Sequence, residues 1–332
     1  MGREVLTGFI LRRLAAGVIT LLVASFLMFL LVAVSGNPLA SLMANPHISP
    51  ATIAAARREL GLNEPLLVRY WDWLTRMLSG SFGTSTTGQP VGSELGSRIV
   101  VTLQMVVPAV ILAAVLAIIV GVVSAVRQYS ALDHALTGVA YLFYSTPVFV
   151  VAILLKDFLA VDVNNAAGQT IVFTLGQDTP GTTGAGPVLL DVIEHTVLPV
   201  VTLTLITYAG WSRYQRAQLL DVLNADYIRL ARAKGLTPRR VLYVHALRNA
   251  LIPVVTIIAA DFATLLGGAV VTETAFGWEG MGQFLLQGLQ GQVSPDTNVV
   301  QAWMMVVATM VIVFNLIADI LYAVLDPRIR LA

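Results

Sequence analysis

Long apolar runs alternate with polar segments along this chain and predict its membrane spans. Five runs are about as long as a helix that crosses the hydrocarbon core, and a shorter one continues as a helix into Arg213 and Arg216. In chain order the runs are Leu14 to Val34, Val100 to Val126, Leu136 to Leu159, Val197 to Trp211, Leu251 to Val271 and Val299 to Leu325. Because backbone groups in lipid must be paired internally, we expect an all-α, polytopic membrane protein with six transmembrane helices.

The distribution of positive charge predicts which segments face the cytoplasm. Segments 160–194 and 272–298 contain no Lys or Arg, whereas the segment from Asn224 to Pro253 contains six of these residues. Lys and Arg accumulate on the cytoplasmic side of membrane proteins. The pattern therefore predicts a multi-pass protein of the cell membrane whose basic segment and both termini are cytoplasmic.

The same pattern divides the chain into four predicted parts. Residues 1–34 form the cytoplasmic N-terminus and the first span, and residues 35–99 form an extracytoplasmic helical segment. Residues 100–325 form a core of five spans, which includes a cytoplasmic loop at 218–250. Residues 326–332 form a cytoplasmic tail.

Two polar segments on the outer side carry further expectations. A helix that begins at Pro65 has an apolar stripe, which should lie on the membrane interface or on the protein's own spans. Trp71 and Trp73 in this helix could form a platform for substrate, but interfacial anchoring is the preferred interpretation. Residues Thr179 to Pro187 are rich in Gly, Thr and Pro and predict a mobile linker.

Composition excludes several classes of function. The chain has 332 residues, of which 57% are hydrophobic and 12% charged, a balance too apolar for a soluble domain. It has no Cys, and its two lysines, Lys156 and Lys234, do not end a Gly-rich phosphate loop. Its four histidines are scattered without metal-ligand spacing. We therefore expect a non-catalytic chain that holds no metal or cofactor of its own.

The basic segment predicts two short helices. Asn224 is a candidate N-cap for a helix from Ala225 to Lys234, and Gly235 supplies the left-handed residue that ends it. Thr237 is a candidate cap for a second helix, with Pro238 at its first position. This second helix leads into the next apolar run.

The first of these helices has a low profile that suits insertion into a groove on another protein. Helical spacing places Tyr227, Leu230, Ala231 and Lys234 on one side, with small residues nearby. Two other interpretations remain open. The basic residues could be only a topology signal, or they could form a DNA-binding helix-turn-helix, although attachment to two spans makes groove entry difficult.

The run YIRLARAKG, residues 227–235, and the RRVLYVHALRNALIP that begins at Arg239 together resemble a known family. They are similar to the cytoplasmic loop of membrane subunits of binding-protein-dependent ABC importers, in the branch that carries dipeptides, oligopeptides or nickel. Arg229 stands at the family's Glu position and Arg248 where its Pro would fall, as is usual in the peptide branch. FILRRLAAGVITLLVASFLMFLL near the N-terminus, ELGLNEPLLVRYWDWLTRMLSGSFGTS and NLIADILYAVLDPRIR also resemble family segments.

The resemblance implies a type I ABC importer permease fold and a set of partners. It implies a second, related permease, two ABC ATPases that bind ATP and Mg, an extracytoplasmic substrate-binding protein and membrane lipid, with no nucleic acid. The loop 224–240 would dock into the ATPase and drive alternating access. The implied docking residues are Tyr227, Arg229, Leu230, Ala231, Ala233, Lys234, Gly235 and Leu236. The substrates would be di- or oligopeptides, with nickel, glutathione and haem as alternatives.

Further candidate site residues lie in and after the fifth span. Asp261 lies near its middle and could be a substrate or proton site, or a helix–helix hydrogen-bond partner. Gly267 and Gly268 allow close packing or form a pathway wall. ETAFGWEGMG resembles the outer-loop signature of peptide permeases. The resemblance places at the outer mouth, beneath the binding protein, Glu273, Phe276, Gly277, Trp278, Gly280 and Gly282.

The alternative function is an ion-coupled secondary transporter centred on Asp261. It would require inverted repeats and broken midplane helices, and no convincing repeat is present.

Overall fold

The chain is helical, as predicted. The computed structural model describes residues 2–35, 39, 43, 47–59, 61–291 and 295–325. The helices are α1 Gly2–Ser35, α2 Pro50–Glu59, α3 Leu66–Leu78, α4 Val91–Val126, α5 Ala131–Ser145, α6 Val148–Leu155, α7 Asp162–Ala167, α8 Ala185–Leu223, α9 Asp226–Ala233, α10 Pro238–Arg240, α11 Leu247–Gly268, α12 Val270–Phe276, α13 Met281–Leu289 and α14 Thr297–Leu325. Two π-helical turns complete continuous helices: Lys156–Val161 joins α6 to α7, and Val241–Ala246 joins α10 to α11. The predicted tail at 326–332 lies outside the described residues.

Five helices are long and apolar enough to cross a membrane, and a bent pair of helices meets the same criterion when its two members are counted together. The five are Ile10–Val34, Val91–Val126, Gly186–Leu223, Pro238–Gly267 and Thr297–Leu321. The second begins nine residues before the predicted boundary at residue 100, directly after Pro90. The loop predicted at 218–250 is also shorter than expected, because α8 continues into it and the fifth span begins inside it.

The third predicted span is not a straight helix. Ala131–Ser145 and Val148–Ala167 meet at an angle of 107°. Pro147 lacks an amide hydrogen and keeps Thr146 in the extended region (φ −87°, ψ 128°), so the helix ends there. The Thr146 hydroxyl donates to the Leu142 carbonyl oxygen (2.6 Å), which satisfies an acceptor at the break. Pro147 therefore interrupts the third predicted span.

The centre of the bundle is the packing of α4 against α8. Gly121 lies so close to α8 that a Cβ atom there would be 2.8 Å from both the Gln215 Cβ and the Ser212 carbonyl oxygen. The Thr204 hydroxyl donates to the Ala109 carbonyl oxygen of α4 (3.3 Å). Small residues allow the two helices to approach closely. Close packing matters in lipid because there is no hydrophobic driving force between spans.

At the end of the bundle where α1 finishes, α3 packs on the spans. Trp73 is buried and its ring lies 5.5 Å from that of Phe29 in α1. The Tyr70 and Ser25 hydroxyls are 2.9 Å apart. Trp71 is 63% exposed on the opposite side of α3. The two tryptophans therefore differ: Trp73 is a core residue, and only Trp71 is placed to anchor an interface.

The segment predicted as a mobile linker is held at its first residue. The Thr179 amide and hydroxyl both donate to the Asp191 carboxylate, at 2.6 and 2.7 Å. The last residues of the segment belong to α8, which begins at Ala185. The prediction from composition missed this anchor because Asp191 lies outside the Gly/Thr/Pro run.

Candidate functional site

The end of α9 and the start of α10 agree with the prediction from their capping residues. Asp226 lies in the first turn of α9, and Gly235 follows the helix with φ +77°, a left-handed conformation that suits glycine. The Thr237 hydroxyl accepts a hydrogen bond from the amide of Arg240 (3.4 Å), and Pro238 is the first residue of α10. The predicted second helix and its cap are confirmed.

The predicted cap of α9 is wrong. Asn224 ends α8, and its side-chain amide donates to the Leu220 carbonyl oxygen (3.0 Å). Ala225 occupies the cap position of α9 and offers no side-chain acceptor. The two helices are thus only two residues apart, which leaves no flexible linker between the fourth span and α9.

One side of α9 packs against the protein's own spans. Ile228 is fully buried and Ala231 is 8% exposed. They belong to a cluster of buried residues from five elements, which also includes Val122, Ala125, Leu219, Val241, Ala246 and Ala250. Ala231 is therefore not on the outward face that was predicted for it. Leu236 also packs partly against this cluster.

The other side of α9 is exposed and carries both apolar and basic side chains. Tyr227 is 40% exposed and Leu230 56% exposed. The remaining exposed residues of the predicted docking set are Arg229, Ala233, Lys234 and Gly235. The Asn249 side-chain amide donates to the Tyr227 hydroxyl (3.0 Å), which fixes α9 to α11. We call Tyr227, Leu230, Ala233 and Lys234 the outward face of α9.

A buried ion pair lies at the same end of the bundle. Arg216 of α8 donates from Nε to Asp133 Oδ1 (3.0 Å) and from Nη2 to Oδ2 (2.9 Å). The Ser124 hydroxyl also donates to this carboxylate, as does the Tyr129 amide (2.9 Å). A paired guanidinium and carboxylate fix relative orientation as well as distance. Asp133 thus holds α4, α5 and α8 together, a role that the sequence did not reveal.

The turn beside this ion pair has an unusual backbone. Tyr129 has φ +63°, the only positive φ of a residue other than glycine among those the structure describes. Its side chain is exposed, whereas its amide is held by Asp133. A tyrosine rarely adopts the left-handed backbone conformation, and it does so where surrounding contacts hold the backbone in place. The Asp133 carboxylate therefore also sets the shape of the turn between α4 and α5.

Asp261 is a hydrogen-bond partner between helices. The Trp211 indole Nε1 of α8 donates to Asp261 Oδ2 of α11 (2.7 Å). Trp211 is buried and Asp261 is half-buried. Of the two interpretations left open by the sequence, this contact favours the structural one.

The glycines that follow Asp261 allow close packing. A Cβ atom at Gly267 would be 3.1 Å from Val307 Cγ1 of α14, tighter than an ordinary contact. Gly268 lies in α11, but its surroundings are outside the described residues. Gly267 therefore supports packing of the fifth span against the sixth.

Glu273 is completely buried at the opposite end of the bundle. The Thr102 hydroxyl of α4 donates to Glu273 Oε1 (2.6 Å), and the amide of Gln283 donates to Oε2 (3.0 Å). The Thr102 oxygen in turn accepts from the Met281 amide (2.9 Å). Gly280 leaves the room for this arrangement, since a Cβ atom there would be only 2.5 Å from Thr102 Oγ1. Glu273 therefore joins α4, α12 and α13.

Burial raises the pKa of Glu273 above its ordinary value of 4.5, although the hydrogen bonds from Thr102 and the backbone act to lower it. A raised folded-state pKa gives stability that is full below the unfolded value and is lost as pH rises through the folded value. We expect the unfolding free energy of the wild type, relative to Glu273→Gln, to fall as pH increases from 4.5. The slope should not exceed about 1.4 kcal/mol per pH unit. If the difference in unfolding free energy between the wild type and Glu273→Gln did not change with pH above 4.5, the prediction would be contradicted.

Most residues predicted at the outer mouth are not available to a partner. Those that the structure buries are Glu273, Phe276, Trp278, Gly280 and Gly282. Gly277 is half-buried, with φ +63°. Two residues of this segment are exposed: the Thr274 hydroxyl donates to the Val270 carbonyl oxygen of its own helix (2.8 Å), and Glu279 accepts a hydrogen bond from Arg98 Nη1 (3.0 Å). The ETAFGWEGMG signature is thus a packing motif that presents Glu279.

Among the described residues, no group of three or more His, Cys, Asp or Glu side chains is placed to hold a metal ion. Lys156 is used structurally: its Nζ donates to the Ala275 carbonyl oxygen (2.6 Å) and lies 5.3 Å from the centre of the Phe276 ring. Lys156 is thus engaged with the protein itself.

Two family models match the chain along most of its length. Residues 6–111 match the family described as "Binding-prot-dependent transport system membrane comp, N-term". Residues 117–331 match "Binding-protein-dependent transport system inner membrane component".

Curated relatives match over almost the whole chain. The oligopeptide transport system permease protein OppB of Mycobacterium tuberculosis (strain ATCC 25618 / H37Rv) is 44% identical over 329 residues, 98% of this chain and 100% of the relative. The dipeptide transport system permease protein DppB of Escherichia coli (strain K12) is 38% identical over 336 residues, 97% of this chain and 98% of the relative.

A solved structure shares the fold. A chain of the MetNI methionine ABC transporter, in an inward-facing conformation, matches with a TM-score of 0.55 and 18% identity. The match covers 71% of this chain and 98% of that one. The two family models identify this chain as a member of the binding-protein-dependent transport system inner membrane components, and the structural match gives it the type I fold of an ABC importer permease.

Proposed function

We propose that this chain is the permease subunit of an ABC importer for di- or oligopeptides and that α9 is its contact with the ATPase. The observation that carries the proposal is the outward face of α9, which exposes Tyr227 and Leu230 on a helix joined closely to two spans. Exposed apolar side chains on a short, well-supported helix suit a groove on another protein. The names of the relatives, OppB and DppB, support peptides over nickel, glutathione or haem.

The proposed assembly contains four kinds of subunit. A second, related permease completes the pathway with this chain, two ATPases bind ATP and Mg, and an extracytoplasmic binding protein delivers the peptide. The basic loop and both termini face the cytoplasm, because Lys and Arg are concentrated on that side. Glu279, exposed beside Arg98 at the other end of the bundle, is the candidate contact for the binding protein.

Coupling in this proposal is mechanical. Closure of the ATPases on ATP would move α9, and the two-residue link to α8 would transmit that motion to the fourth span. Tyr227 and the continuous helix through Val241–Ala246 would transmit it to the fifth span. Asp261 links the same two spans through Trp211, so they would move together during alternating access.

Leu230→Asp should separate ATP hydrolysis from uptake. Leu230 is exposed, so the substitution should change stability by no more than about 0.5 kcal/mol. An aspartate would carry a charge into an apolar groove, where it loses hydration without gaining a partner. We expect at least a tenfold loss of ATP-driven uptake of a labelled dipeptide into proteoliposomes containing the complete complex and binding protein.

Leu230→Met is the matched control and should retain uptake. A benzoylphenylalanine at position 230 should also cross-link to an ATPase, whereas the same photoreactive residue at Trp71, exposed on the other side of the membrane, should not. Normal coupled uptake by Leu230→Asp would contradict the role of α9. Uptake by this chain alone, driven by an ion gradient, would instead support the secondary transporter.

A further inference from the structure

A cavity lies at the end of the bundle opposite α9. It has a volume of about 900 Å³, in the range of sites that hold small organic ligands. Its walls come from α1, α2, α3 and the beginning of α14. Phe29, Val32 and Trp73 provide apolar surface, so the cavity is not simply a water-filled polar gap.

Three arginines give this cavity a positive charge. Arg57 of α2 and Arg69 and Arg76 of α3 line it, and Asp72 is the one acidic residue among the described lining residues. Among the residues that the structure describes, none forms an ion pair with any of the three arginines. Arg76 uses Nε to donate to the Asp72 carbonyl oxygen (3.1 Å). Most of the guanidinium donors are therefore available to an anion.

The cavity lies where membrane spans end. Phe29 and Val32 are near the end of the span Ile10–Val34, and Thr297 and Asn298 begin the span Thr297–Leu321. This places the arginines at the boundary between hydrocarbon and water, where their guanidinium groups can reach lipid phosphates while apolar surface lies beside them.

The outer surface of α3 also has the character of an interfacial helix. Its exposed large apolar residues are Leu67, Val68, Trp71 and Leu78. The opposite side packs Trp73, Leu74 and Met77 against the spans. A helix with apolar groups exposed at a span end is suited to contact acyl chains.

We infer that this cavity binds the headgroup of an anionic phospholipid, with the phosphate held by Arg69 and Arg76 and the acyl chains lying along α1 and α3. The net charge of the lining favours an anionic over a zwitterionic headgroup, and arginine can bind phosphate through two parallel hydrogen bonds. A small free anion would satisfy the arginines but leave the apolar walls in water. The combination of charge, apolar wall and position therefore points to lipid.

The test uses the assembled complex in detergent, depleted of lipid and titrated with phosphatidylglycerol, phosphatidylcholine or soluble glycerol phosphate. Native mass spectrometry gives the apparent Kd from the fraction of complex that retains lipid. We expect phosphatidylglycerol to bind more tightly than phosphatidylcholine. Arg69→Gln/Arg76→Gln should weaken phosphatidylglycerol binding about tenfold or more, as expected for loss of charge-assisted hydrogen bonds.

Arg57 and Arg58 provide a matched pair of controls. They are neighbours on α2, but only Arg57 is among the lining residues. Arg57→Gln should weaken phosphatidylglycerol binding, and Arg58→Gln should leave it within about twofold of wild type. If the double variant does not assemble, Arg69→Gln and Arg76→Gln are measured separately. Equal binding by Arg57→Gln, Arg58→Gln and the Arg69 and Arg76 variants would overturn the inference, as would displacement of the lipid by equimolar glycerol phosphate.

Discussion

Replacement of Asp133 with alanine is expected to lower the unfolding free energy of the assembled permease by about 3 kcal/mol, the lower end of the range for breaking a buried ion pair. The Arg216 guanidinium would lose both of its acceptors, and the Tyr129 amide would lose its only partner among the described residues. The effect should lie at the lower end because the Arg216 side chain is 26% exposed and water reaches it. Unfolding in mixed detergent micelles measures the change.

A double-mutant cycle tests whether the loss comes from the pair itself. Arg216→Leu alone leaves the Asp133 carboxylate buried, and the double variant Asp133→Ala/Arg216→Leu removes both charges. The double variant should therefore be less destabilised than the sum of the single variants. Additive effects would mean that the ion pair does not hold α5 to α8.

Gly282→Ala is expected to destabilise the outer part of the bundle by about 1–3 kcal/mol, the usual cost of overpacking. The added Cβ would be 2.5 Å from Val270 Cα, a backbone atom of α12 that cannot move independently of its helix. Separation of α13 from α12 would also strain the hydrogen bond between the Gln283 amide and Glu273. The same unfolding measurement applies.

Gly96→Ala is the matched control. Gly96 also lies in a helix, but a Cβ atom there would meet nothing within 4 Å. Alanine has the higher helix propensity, so this change should stabilise α4 by about 0.5–1 kcal/mol. Gly282→Ala should therefore lower the unfolding free energy, and Gly96→Ala should raise it. A similar effect at both positions would show that close packing of Gly282 is not the cause.

Features set by neighbouring residues were predictable from the sequence. Thr237 and Pro238 specify a helix start, and Gly235 specifies a left-handed end, through contacts within a few residues. A proline alone does not specify a break: a helix ends before Pro147, whereas Pro108, Pro199 and Pro253 lie inside α4, α8 and α11. The apolar runs predicted the positions of the spans, because backbone polar groups within lipid must be hydrogen-bonded inside the protein and a helix meets this requirement.

The orientation of α9 could not be predicted in the same way. Tyr227 and Leu230 are apolar on one side, and Ile228 and Ala231 are apolar on the other. An eight-residue helix with both faces apolar does not indicate which one packs inward. The side that packs inward is set by the residues of α4 and α8 that face α9, and their arrangement exists only in the folded bundle. Ala231 was therefore assigned to the wrong face.

Polar contacts between residues far apart in the sequence could not be predicted either. Asp133 and Arg216 are 83 positions apart, and Thr102 and Glu273 are 171 apart. Their sequence signals are only an acidic residue after the helix cap Ser130 and a polar residue in an apolar span. The outer signature was expected to contact a partner, whereas Glu273 is buried because Thr102, Met281 and Gln283 close around it.

The π-helical turn Val241–Ala246 has a consequence for how the fifth span is read from related sequences. A π turn accommodates one more residue than an α turn, and each residue of an α-helix advances the side-chain direction by about 100°. Loss of one residue from a regular α-helix would therefore rotate everything beyond it, whereas loss of one residue from this π turn would leave an α turn, with Asp261 and its neighbours still facing the same side of the bundle. Relatives that lack this residue would show a one-residue gap in alignment although their fifth spans present equivalent residues to the fourth span, so the gap belongs within Val241–Ala246.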